Sequence, residues 1–218
     1  MKFQKLVLCA AVAFACGAAI NASAFDLGKL KSPASGNVDN DIKSFLQTAE
    51  EANALTSKSV YTLAQALLTK EEMQANDAKL EAARNIADPK EREAQLAKAE
   101  LEMQAQLAKV DYEAQANQLA KANDKKKNAL LGASIYNFVL GMLKDKELVG
   151  KGSGLASSAA SNPMLLTKLG KVKDVVASIS GQMGDMGKIA SGLQKMSSKI
   201  KSVPMPTSAS AEPVSTAD

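Results

Sequence analysis

The sequence predicts an all-α fold: an elongated antiparallel bundle of four or five helices with a heptad-patterned C-terminal helix and no sheet. Three observations carry this reading. Between Asn37 and Leu131 there is no glycine and one proline, Pro89, in a stretch dominated by Ala, Glu, Gln, Lys and Leu, the residues that lose least on entering a helix. Alanine supplies 38 of the 218 residues and aromatics only 4%, so any core is built from close-packed helices carrying Leu, Ala, Val, Ile and Met. Near the end of the chain, apolar residues alternate three and four apart for more than four heptads, the spacing of a helix–helix seam.

Residues 1–24 read as an address rather than as structure. Lys2 and Lys5 precede the apolar run 6–15, and Asn21-Ala22-Ser23-Ala24 offers small residues ahead of a cut after Ala24, the pattern of a secretory signal peptide. A lipoprotein cut before Cys16 fits less well, because Phe14 is bulky where a small residue is expected. Removing 24 residues that carry two lysines and both cysteines leaves 194 residues with a net charge of +2. The expected location is therefore the periplasm or the extracellular space, with stability resting on burial and not on disulfides.

Residues 25–37, with Gly28, Pro33 and Gly36, form an opening loop, and 38–149 an Ala/Glu-rich bundle. Asp39 or Asn40 can cap a first helix carrying Ile42, Phe45, Leu46, Ala49, Ala52, Val60, Leu63 and Leu67 on one face. Thr69-Lys70-Glu71-Glu72 is a capping box that starts a second helix. Asp88-Pro89 repeats that logic, with proline at the first helical position, although one long kinked helix is the alternative there. Gln-Leu-Ala-Lys then recurs from Gln95, Gln106 and Gln118. Spacings near eleven residues are about three turns, and they predict one long, nearly straight helix packed through its alanines.

Asp124 and Lys125-Lys126-Lys127 mark a junction before 129–143, the most apolar stretch after residue 24. A helix of that length rises about 22 Å, short of the roughly 30 Å hydrocarbon core of a bilayer. It reads as a central buried helix; the competing reading inserts Leu131, Ile135, Phe138, Val139 and Met142 into a membrane. Residues 150–162 read as a Gly/Ser linker. Residues 163–201 read as a basic amphipathic helix with net charge +5 from seven lysines and two aspartates. Its seam comprises Leu169, Val172, Val176, Ile179, Met183, Met186, Ala190, Leu193, Ser197 and Ile200. Gly181, Gly184, Gly187 and Gly192 weaken that helix by roughly 1 kcal/mol each relative to alanine, so a partner surface is needed to hold it. Proline- and serine-rich residues 202–218 read as disordered.

Function classes narrow accordingly. The chain has no histidine, and its cysteines lie within residues 1–24, which removes imidazole- and thiolate-based catalysis and metal binding. No catalytic residue, metal site or cofactor is expected. Carboxylate pairs such as Glu71/Glu72 and Glu91/Glu93 read as solvated surface charge, and Tyr61, Tyr112 and Tyr136 as packed rings with wet hydroxyls. The only arginines, Arg84 and Arg92, sit among glutamates, which argues against a nucleic-acid partner. The leading expectation is a non-catalytic exported protein that binds a protein partner or itself. Leu169, Val172, Val176, Ile179, Met183, Met186, Leu193 and Ile200 would form the contact. The alternative is a membrane-active protein in which 129–143 inserts and 163–201 lies on anionic lipid.

Overall fold

The computed structural model describes residues 38–122, 124–159, 166–200 and 205–215. The expected signal peptide, its cleavage site and the opening loop 25–37 lie outside the described residues. All regular structure among these residues is helical: α1 (Val38–Leu67), α2 (Lys70–Arg84), α3 (Pro89–Leu107), α4 (Tyr112–Ala122), α5 (Lys125–Ala159) and α6 (Leu166–Ile200). A helical bundle results. α5 packs on α1 and α6, α4 on α6, and α2 on α3, while α1 also meets α3 and α6.

Side-chain chemistry sets the boundaries. The Thr69 hydroxyl accepts the Glu72 amide, and Glu72 reaches back to the Thr69 amide at 2.9 Å, the full capping box. Asp88 accepts the Glu91 amide at 2.8 Å ahead of Pro89, so Pro89 begins a separate helix and does not kink a longer one. Asp124 accepts the Lys127 amide at the start of α5.

Three expectations are corrected. The Gln-Leu-Ala-Lys repeat does not form one straight helix; the chain breaks between Leu107 and Tyr112. There Asp111 accepts the amides of Glu113 and Ala114, while the Tyr112 hydroxyl donates to the Leu107 carbonyl at 2.9 Å. These side chains satisfy the ends that a continuous helix would have satisfied by its own ladder, and they also mean that the Tyr112 hydroxyl is not wet. The Gly/Ser stretch is no linker as far as Ala159, since α5 runs through it with Leu155 buried. Gly152 is there for close approach: a Cβ would run into Val176 and the Phe45 ring. Residues 160–162 lie outside the described residues. Finally, residues 205–215 are ordered against the bundle, with Pro206 and Ala209 buried.

Two apolar clusters form the core. The larger draws on all six helices and includes Leu63, Leu107, Leu119, Phe138, Ile189 and Leu193. The smaller joins Ile42, Phe45, Ala49 and Ala52 of α1 to Leu148 and Leu155 of α5 and to Leu169 and Val172 of α6. Facing positions Thr56–Gly141 and Phe45–Gly152 step in opposite directions along α1 and α5, so these two helices run antiparallel. Asn76–Gln106 and Lys79–Glu102 show the same for α2 and α3.

Candidate functional site

The α6 seam lies inside the molecule. Leu169 and Val172 are buried in the smaller cluster, with Val176 and Ile179 packed against it. Met186, Ala190, Leu193 and Ile200 are buried in the larger one. Met183 and Ser197 are partly buried. Ile189 and Met196 are fully buried as well, so the packed stripe is wider than the seam read from the sequence. The chain's own α1, α4 and α5 therefore cover most of the residues expected to meet a partner, while Val176, Ile179 and Met183 are only partly buried. Gly192 serves this packing, because the Tyr112 ring occupies the space a Cβ would need. Gly181, Gly184 and Gly187 face open space, and nothing in the structure accounts for them.

The residues expected to touch lipid are also core. Leu131, Ile135 and Phe138 are at most 1% exposed, and Val139 and Met142 pack on the same cluster. Among the described residues no helix is long and apolar enough to cross a membrane.

Two polar arrangements in the bundle are unlike its surface charge. The first centres on Asn137, in the middle of the most apolar stretch of α5 and only 4% exposed. Its side-chain N–H donates to the Val214 carbonyl at 2.7 Å, and its side-chain oxygen accepts the Val214 amide at 2.8 Å. Only one orientation of the amide satisfies both partners. A neighbouring strand offers one residue the same exchange, and the pairing involves no atom of the Val214 side chain. Ala133, Asn137 and Leu140 share one face of α5 by their spacing. Ala133 and Leu140 are buried yet belong to neither apolar cluster. Within the docked segment Met205 packs on the larger cluster. A turn at 208–211 is closed by the Ala211 amide on the Ser208 carbonyl and by the Ser208–Ser210 hydroxyl pair.

The second arrangement is an acidic pair between α3 and α5. Glu100 accepts from the Ser57 hydroxyl of α1 at 2.6 Å and weakly from Gln104 at 3.5 Å. Burial raises its pKa, and those two hydrogen bonds oppose the rise. Asp145, 6% exposed, is pushed up to about 7, first by burial and then by the negative charge of Glu100. Lys144 beside it is held below the ordinary lysine range by burial, against the pull of Glu51 and Glu147. Nearby, the Thr56 hydroxyl is buried without a hydrogen-bond partner where α1 meets Gly141.

Sequence reasoning passed over both arrangements. A signal for the first was present, since Asn137 is a lone carboxamide amid Leu, Ile, Phe and Val. For the second there was none, because 45 residues separate Glu100 from Asp145. The carboxylates singled out beforehand, Glu71, Glu72, Glu91 and Glu93, are exposed. Among the described residues no three acidic side chains converge to hold a metal ion. A hollow of about 330 Å³ between α2 and α3 is lined by Lys79, Ile86, Lys98 and Glu102, and the exposed Lys79–Glu102 ion pair bridges it. Compared with known proteins, the chain matches no family model, no curated sequence and no solved structure.

Proposed function

We propose that this is an exported, non-catalytic helical protein whose work is to bind polypeptide, and that α5 around Asn137 is its recognition element. One observation carries the proposal: a buried side chain pairs with both backbone groups of a single residue in a docked, non-helical segment. Export rests on the pattern of residues 1–24. The absence of histidine, and of cysteine beyond residue 24, supports a role in binding over one in catalysis. The α6 seam is committed to the chain's own core, so the proposal moves binding from that helix to the Asn137 face. Backbone pairing supplies affinity in this mode, and small pockets for alternate side chains supply selectivity.

An array of short peptides of varied composition, probed with the full-length chain and with a full-length Ala209→Glu/Val214→Pro variant, tests the reading. Binding should favour proline-containing, small-residue peptides, and Asn137→Ala should remove it. An array left blank by both chains would contradict the proposal.

A further inference from the structure

We infer that residues 205–215 are a displaceable occupant of a polypeptide-binding face on α5, whose ligand in trans is a proline-bracketed run of small residues from another protein that makes the same turn. The inference rests on the reading of the chain as a polypeptide-binding protein and adds its ligand class and its regulation.

The occupant describes the ligand. Met-Pro-Thr-Ser-Ala-Ser-Ala-Glu-Pro-Val, residues 205–214, is bracketed by Pro206 and Pro213, and small side chains fill the middle. Only Pro206 and Ala209 of this segment are buried. Thr207, Ser208, Ser210, Glu212 and Pro213 are exposed, so they place no demand on that face. Val214 is read through its amide and carbonyl, which any non-proline residue supplies. A ligand therefore needs a free amide and carbonyl at one residue, a small residue in a turn about five positions before it, and a proline about three further back.

Among the contacts that hold the segment, Pro206 and Ala209 are small buried side chains, Met205 packs on the larger cluster, and Asn137 pairs with the Val214 backbone. The turn at 208–211 satisfies its own polar groups, so it neither adds to the grip nor is lost on release. Removing the segment would leave the Asn137 amide to water, on the face of α5 that Ala133 and Leu140 share. A new backbone that offers an amide and a carbonyl there restores the pair, for about 1 kcal/mol net per hydrogen bond. Because it is tethered, the segment competes at a high effective concentration, so it sets the threshold that a partner must exceed.

The test uses full-length chains and a labelled synthetic peptide of the sequence 205–215. Ala209→Glu with Val214→Pro removes one buried anchor and the amide donor from the tethered segment, and leaves α5 untouched. This variant should bind the peptide at least about tenfold more tightly than the wild-type chain. Adding Asn137→Ala to it should abolish binding while the helical circular-dichroism signal stays unchanged. Equal affinity of the wild-type chain and the double variant would overturn the inference even if the peptide array is positive, because the segment would then not be the gate. Binding by the double variant that survives Asn137→Ala would overturn it as well, because the peptide would be held elsewhere.

Discussion

Two faces of the same helix, α5, do opposite kinds of work. Toward the larger cluster it presents Leu131, Ile135 and Phe138, none more than 1% exposed. These side chains belong to a cluster that draws on all the other helices, and their contribution comes from apolar area removed from water. On another face, at Ala133, Asn137 and Leu140, the central contact is a pair of directional hydrogen bonds to residues 205–215. Each neutral hydrogen bond contributes only about 1 kcal/mol net, because water competes for both partners. The first face holds the fold together. In the proposed role the second opens without unfolding the helices.

The largest way to break this contrast is Phe138→Ala. Loss of a fully buried phenyl ring should lower stability by about 3–5 kcal/mol, and denaturant unfolding monitored by circular dichroism would show it as a lower midpoint for the whole chain. An effect confined to residues 205–215 would mean that the two faces are not distinct.

A pH titration of stability comes next. The folded chain holds the Asp145 proton to about 7, whereas the unfolded chain releases it near 3.8. Between those values the native state binds more protons than the unfolded state, so stability falls as pH rises. The contribution is fully present below about 4, is lost by about 7 and is flat above that, with a total of roughly 4 kcal/mol. Urea unfolding at several pH values should show the fall, and Asp145→Asn should reduce it, leaving the fall that Glu100, also raised by burial, contributes.

Gly192→Ala sharpens the account of α6. Helix propensity alone would make this change stabilising by roughly 1 kcal/mol. The added methyl group would meet the Tyr112 ring, and overpacking of this kind costs about 1–3 kcal/mol. A lower thermal midpoint is therefore expected, with α4 loosened first in hydrogen exchange. The same substitution at Gly184, which faces open space, should raise the midpoint.

Asn137→Ala should have the smallest global effect, about 1–2 kcal/mol. Proteolysis at 205–215 should become fast while the helices stay resistant. Asn137→Asp keeps the acceptor for the Val214 amide and loses the donor to its carbonyl, so it should fall between the two chains.

Much of the helical plan was legible in the sequence, and the reasons differ by element. Thr69 and Asp88 announced their helices because capping is local: the residues that accept the amides lie within four positions of them. The apolar run of α5 and the spacing on α6 located buried faces for the same reason. What the seam could not say was whose surface it meets, because spacing alone does not distinguish a partner's helix from the chain's own. The break at Asp111 was hidden behind a repeat that continues across it, and the Tyr112–Gly192 contact that accompanies it joins residues 80 apart. Serine and glycine at 150–159 suggested flexibility, yet Phe45 and Val176 need Gly152 to approach α5. The docking of 205–215 was least legible of all. A short segment of Pro, Ser and Ala has no pattern of its own, and its order comes from an asparagine 77 residues away.

The most direct test of the Asn137 clamp is the hydrogen-exchange rate of the Val214 amide, measured by NMR in the full-length chain with and without Asn137→Ala. Val214 should exchange well below its unfolded-chain rate in the wild type and close to that rate in the variant, with α5 amides unchanged. A Val214 amide that exchanges at the unfolded-chain rate in the wild-type protein would contradict the account.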